Sequence, residues 1–165
     1  MDILTQKGQL TLPDEARAHQ LFTSQHANFT YVETPKDKPS DIDAFLVKNG
    51  IIKAVVETKC RYDCDINKFF GQYNGKWLVT LDKIERCRDV AKSLCVDFVG
   101  FLYLKQSDIL LVQKISNVFG SYVPNIEIKS TETQATINGG KAVRSNAYID
   151  MSKAKVYGLH NSNKN

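Results

Sequence analysis

Three residues near the middle of the chain have types and spacing that could share chemistry: Asp43 (or Asp41), Glu57 and Lys59. The aspartates sit in Ser40-Asp41-Ile42-Asp43-Ala44-Phe45-Leu46-Val47. Glu57 and Lys59 close the run Ile51-Ile52-Lys53-Ala54-Val55-Val56-Glu57-Thr58-Lys59. The two apolar runs flank Lys48-Asn49-Gly50 and read as a hairpin. One strand begins with carboxylates and the other ends in Glu-x-Lys. Charged groups at the ends of buried strands are costly without partners, and Mg²⁺ held against a phosphodiester would supply them. Residues two apart on a strand share a face, so Glu57 and Lys59 start roughly 7 Å apart. Mg²⁺ takes one or two carboxylates and keeps several waters, so Glu57 with Asp43 or Asp41 would suffice. Such a metal polarises a phosphoryl oxygen and lowers the pKa of a bound water. Lys59 would orient that water and offset developing negative charge. The competing account is a surface hairpin whose charges merely end its strands.

Register decides which aspartate can join Glu57. A two-residue Asn49-Gly50 turn puts Asp43 opposite Val56 and faces both aspartates away from Glu57. A three-residue loop, Lys48-Asn49-Gly50, puts Asp41 opposite Glu57 with Asp43 diagonal to it. A metal site therefore needs the longer loop, or a bulge.

The elements that must position these residues follow from pattern. Leu12-Pro13-Asp14-Glu15 has the proline and acids of a first helical turn. Ala16, Leu21 and Phe22 are expected to face a core along a helix reaching about His26. Asn28 to Glu33 alternates as a strand, and 34–40 reads as a loop. Residues 66–76 fit a helical turn or a loop. Trp77 to Leu81 reads as a short strand. Asp82 and Glu85 have the spacing of a capping box, opening a helix with Ile84, Cys87, Ala91 and Leu94 on one face and Lys83, Arg86 and Lys92 elsewhere. The nearly unbroken apolar run Val96 to Leu104 marks a strand covered on both faces. Ile109 to Val112 adds another. Farther on, 133–137 and 142–151 are expected to pair around Asn138-Gly139-Gly140. This order predicts an α/β (α+β) fold: one mixed β-sheet with helices packed on it, in a single domain spanning 1–165.

Composition narrows the classes. The chain of 165 residues is 42% apolar and 24% charged, ordinary for a globular domain. No apolar run approaches the ~20 residues of a membrane-spanning helix, so no membrane partner is expected. The first residues lack the basic start and apolar stretch of a secretory signal, which favours a cytoplasmic location. The net charge of +4 permits a polyanionic partner. Cys60, Cys64, Cys87 and Cys95 show no Cys-x-x-Cys spacing and have no nearby histidine, so free thiols are expected. His19, His26 and His160 fit no metal or triad pattern, and no Gly-rich phosphate loop is present.

An aspartate on one strand and Glu-x-Lys on the next, inside a helix-strand-strand-strand-helix-strand order, resembles the PD-(D/E)xK (restriction-endonuclease-like) nuclease superfamily. The matching residues are Asp43 (or Asp41), Glu57 and Lys59, and the likeness covers about residues 14–104. Glu57-Thr58-Lys59-Cys60-Arg61 followed by Trp77 to Lys83 is also similar to small phage-encoded nucleases. The resemblance implies an αβββαβ core with extra C-terminal strands in an extension over 117–165. It implies Mg²⁺-dependent hydrolysis of DNA, with Mn²⁺ as a substitute, in an endonuclease leaving a 5′-phosphate and acting as a possible homodimer. The family's proline does not adjoin the aspartate here: Pro39 is followed by Ser40 and Asp41. Asp43 is favoured because Ala44 to Val47 resembles the family's strand, with Asp41 the alternative. Members often add an acid from the first helix, for which Glu15 is the candidate.

Further residues could grip a nucleic acid. Arg61 follows Lys59 on the same face and could reach a phosphate. Gln72 and Tyr73 stand where some members place DNA-contacting residues. Lys83, in the first turn of its helix, is disfavoured by the helix dipole unless an anion lies near. The rival from another class is a nucleic-acid- or protein-binding module on the same fold, which would not need Asp43, Glu57 and Lys59 to converge. An RNA substrate is a third account.

Overall fold

Two strand-rich layers and two packing helices build the chain, seen in a computed structural model that describes residues 11–37, 40–132 and 143–158. Helix α1 (Leu12–Thr23) starts behind Thr11 and carries its proline and both acids in the first turn. Three strands follow as an antiparallel meander: β1 (Thr30–Glu33), β2 (Ala44–Lys48) and β3 (Ile51–Arg61). A short helix α2 (Ile66–Gly71) is capped by Asp65, whose carboxylate accepts the Lys68 N–H at 2.7 Å. Then come β4 (Lys76–Thr80), helix α3 (Leu81–Ser93), β5 (Asp97–Leu104) and, after a turn of 3₁₀ helix, β6 (Ile109–Ser116). Strands β7 (Ile126–Glu132), β8 (Val143–Asp150) and β9 (Lys155–Tyr157) complete the described residues.

The six-stranded sheet has the order β1-β2-β3-β5-β6-β9. β5 runs parallel to β3, so the chain between them must cross over, and α3 lies on that crossover. β5 is therefore an interior strand covered on both faces, which explains its unbroken apolar sequence. On one face α1 buries Ala18, Leu21 and Phe22 against β2, β3 and β5. On the other, α3 buries Ile84, Cys87 and Ala91 against Val55, Phe98 and Leu102. Each Leu or Phe sealed this way contributes about 1.5–3 kcal/mol.

The structure departs from the sequence expectations in specific places. One sheet was expected; β4 instead leaves the main sheet and joins β8 and β7 in a second one, ordered β4-β8-β7. Local alternation shows that a segment is a strand but not which sheet it enters. Helix α3 begins one residue before the expected cap. Thr80 is its N-cap, and Asp82 lies inside the first turn paired with Arg86 rather than capping it. Helix α1 ends at Thr23, and Ala16 is exposed, because the buried stripe runs through Asp14, Ala18, His19, Leu21 and Phe22. Leu94 is also exposed, past the end of α3. The pairing expected around Asn138-Gly139-Gly140 lies outside the described residues, though β7 and β8 do pair, with Glu132 opposite Val143. All four cysteines are free thiols, and no described helix is long and apolar enough to cross a membrane.

One glycine joins the two layers. Gly100 on β5 lies beside Glu57 on β3, and the fully buried Trp77 ring from β4 packs on it. A Cβ at position 100 would overlap the Trp77 ring and crowd Ile115. Gly100→Ala is therefore expected to destabilise the protein by about 1–3 kcal/mol through overpacking. Urea unfolding measures this, and an unchanged midpoint would show that Trp77 can yield.

Candidate active site

The hairpin solves the register problem with a bulge. Asn49 and Gly50 both have positive φ, 52° and 74°, and form a two-residue turn. Lys48 pairs with Ile51 and Val47 with Ile52, but Leu46 pairs with Ala54. Lys53 is thus an extra residue on β3, and everything beyond it shifts by one. Ala44 comes opposite Val56, and Asp43, immediately before β2, comes alongside Glu57. The Asp43 N–H donates to the Val56 carbonyl at 3.1 Å.

Asp43, Glu57 and Lys59 converge on the face covered by α3. Asp43 Oδ2 accepts the Thr58 N–H at 2.8 Å. Lys59 Nζ lies 2.8 Å from Glu57 Oε1. Lys83 of α3 reaches into the same group, its Nζ 3.1 Å from Glu57 Oε2 and 3.7 Å from Asp43 Oδ1. One helical turn on, Cys87 Sγ stands 3.9 Å from Glu57 Oε2. Glu57 is fully buried, whereas the Lys59 side chain is 37% exposed and opens the group to solvent.

Two carboxylates this close cannot titrate alike. Burial pushes the Glu57 carboxyl up to about 7; Lys59 works against that shift and Asp43 adds to it. Burial also acts to raise Asp43, but Lys59, Lys83 and the Thr58 N–H outweigh it and hold Asp43 below the ordinary carboxylate value. Both lysines are raised, because their carboxylate partners outweigh the cost of burial. The group therefore presents one firmly ionised carboxylate and one poised near neutrality.

Behind β3, on the α1 face, lies a second polar group that the sequence did not reveal. Thr58, between Glu57 and Lys59, points the other way, as strand alternation requires. Its Oγ1 lies 3.1 Å from Tyr31 OH and 3.5 Å from His19 Nε2. His19 Nδ1 is 3.0 Å from Glu33 Oε1, and the imidazole stacks on Tyr31 with centroids 3.4 Å apart. Burial and Lys36 push His19 down to about 3, so the ring is neutral near pH 7. This network fixes the strand segment whose N–H holds Asp43.

The other candidates are placed elsewhere. Asp41 is exposed and pairs with Arg86 at 3.1 Å. Glu15 pairs with Lys36 at 3.2 Å and accepts from Thr11 at 3.2 Å; its charge reaches Lys59 through space without contact. Arg61 continues the face of Glu57 and Lys59 but donates to the Leu78 carbonyl at 3.1 Å. Gln72 and Tyr73 are exposed on the turn after α2, and neither bonds to the carboxylate group. Lys83, read as lying off the buried face of its helix, is turned inward with Cys87 instead. The dipole penalty at this first-turn cation was the available signal, and the anions that answer it are Asp43 and Glu57.

The donor set fits Mg²⁺, which asks for one or two carboxylates and retains its waters. Among the described residues no cluster of three or more His, Cys, Asp or Glu side chains would hold a more demanding ion. Each Glu57 oxygen meets an ammonium, Oε1 that of Lys59 at 2.8 Å and Oε2 that of Lys83 at 3.1 Å. A buried carboxylate with both oxygens turned to cations is placed to hold positive charge. No protein-family model and no curated protein matches the chain.

Proposed function

We propose that this protein is a Mg²⁺-dependent deoxyribonuclease of the PD-(D/E)xK type, an endonuclease of the cytoplasm. The observation that carries this reading is the convergence of Asp43, Glu57 and Lys59 on one point, with both Glu57 oxygens already turned to cations. The order α1-β1-β2-β3 and then α3-β5, with α2 and β4 inserted between β3 and α3 and β5 parallel to β3, supports it, being the order the resemblance implies apart from that insertion. Asp43 and Glu57 would hold the metal. A bound Mg²⁺ supplies Lewis acidity to the phosphoryl group and an acidified water. Lys59, held beside Glu57 and open to solvent on its other side, orients the attacking water and offsets charge building on the phosphate. The Thr58 N–H fixes one Asp43 oxygen and leaves Oδ1 facing the group.

The test is incubation of labelled duplex, single-stranded and branched DNA with the wild type, Glu57→Ala and Lys59→Ala, in Mg²⁺, Mn²⁺ or EDTA. Metal-dependent cutting lost in both variants is the expected result. DNA bound equally by all three proteins and cut by none would make the chain a binding module instead.

A further inference from the structure

Lys83 stands in a setting made for a metal ion. Its ammonium contacts three oxygens from two segments, β3 and the stretch leading into β2: Glu57 Oε2 at 3.1 Å, Asp43 Oδ1 at 3.7 Å and the Ser40 carbonyl at 3.3 Å. Two are carboxylates and one is a backbone carbonyl, the hard oxygen donors that Mg²⁺ selects. Nothing in the packing of α3 demands a cation there. The apolar face is complete with Ile84, Cys87 and Ala91, and a first-turn lysine opposes the helix dipole.

We propose that Lys83 is the resident cation of the metal-free site and is displaced when a divalent metal binds. This rests on the metal-binding reading of Asp43 and Glu57. Charge and space both favour the exchange, which halves the excess positive charge a divalent ion would bring. Once both carboxylates are ionised to take a metal, Asp43 and Glu57 are neutralised by Lys59 and Lys83 together. A divalent ion added to that set leaves an excess of two positive charges in a largely buried place. Metal–oxygen distances near 2.0–2.1 Å also leave no room for an ammonium between the same two carboxylates. The Lys83 side chain has a way out: it is 20% exposed and already touches the exposed Ser40 segment. Lys83 thus keeps two mutually repelling carboxylates in place before the metal arrives, and it sets the concentration at which the metal wins.

The experiment titrates Mn²⁺ and Mg²⁺ into the full chain without DNA, by calorimetry, for the wild type, Lys83→Met, Lys59→Met and Glu57→Gln. Lysine ammonium NMR signals are followed in parallel, with the Lys83 signal assigned by Lys83→Arg. Lys83→Met should bind metal roughly tenfold tighter, within the range by which groups around a metal site change affinity. Lys59→Met removes the same charge from the same carboxylate but should gain less than about threefold, because its ammonium meets Glu57 Oε1 and does not stand between Glu57 Oε2 and Asp43 Oδ1. The Lys83 signal of the wild type should move at metal saturation. Equal gains in both lysine variants, or an unmoved Lys83 signal in a metal-bound wild type, would overturn the displacement and leave the metal site standing. Absence of binding to both the wild type and Lys83→Met at millimolar metal would overturn the displacement and the metal reading together. The wild-type spectrum decides the matter even where Lys83→Met does not fold.

Discussion

Lys59→Met is expected to lower metal-dependent DNA cleavage by about 10²- to 10³-fold while changing metal affinity by less than about threefold. The two effects separate because Lys59 has one carboxylate contact and an open side. It touches Glu57 Oε1 at 2.8 Å but not Asp43, and solvent reaches it. A residue that only held the metal carboxylates would lose affinity and rate together. One that acts on the water and phosphate loses rate, by about 3–4 kcal/mol of transition-state stabilisation. Glu57→Gln is the contrast. It keeps the shape of the buried side chain but removes a carboxylate charge from the metal pair, so both affinity and cleavage should disappear. Single-turnover rates beside metal titrations measure the split. A Lys59→Met enzyme within tenfold of wild type would remove Lys59 from the chemistry and leave it as a counter-ion of Glu57.

The sequence carried part of this site and withheld the rest, for reasons visible in particular residues. The shared face of Glu57 and Lys59 was legible because residues two apart on a strand point the same way. The partner strand was not fixed, because its register hangs on one extra residue. Lys53 looks like any other strand residue, and only pairing with β2 shows that it is skipped. Lys83 was misplaced because helical periodicity ranks faces by hydrophobicity, and a lysine on the apolar side is read as lying off it. What turns it inward is Asp43 and Glu57, 40 and 26 residues earlier in the chain. His19, Tyr31 and Thr58 meet only because β1 is an edge strand beneath α1, and no local spacing announces that. The second sheet was hidden for the same reason: β4 finds β8 some 70 residues away. Local physics gave the elements, and long-range pairing gave the site.

Between about pH 4.5 and 6.5 the contributions of Glu57 on β3 and His19 on α1 to the stability of the metal-free protein should nearly cancel, and single substitutions at the two positions should tilt it in opposite directions. Glu57 has its carboxyl raised from 4.5 to about 7, chiefly by burial. In that interval the folded chain keeps a proton the unfolded chain has released, so stability falls as pH rises through it. His19 is lowered from 6.5 to about 3, again chiefly by burial. Between those values the unfolded chain binds a proton the folded chain refuses, so stability is lost as pH falls below 6.5. Each slope reaches at most about 1.4 kcal/mol per pH unit, and over their shared window they oppose. The other groups facing Glu57 stay out of it: Asp43 is held below its ordinary value, and Lys59, Lys83 and Cys87 are raised above theirs. The Asp43 charge favours the imidazolium and trims the His19 slope. His19→Gln should therefore leave a protein that loses about 2 kcal/mol as pH rises from 4.5 to 6.5. Glu57→Gln should leave one that loses about the same as pH falls over the same interval. Urea unfolding at several pH values reads both curves. Slopes of the same sign in the two variants would mean that the buried carboxyl and the buried imidazole are not in the protonation states their surroundings dictate.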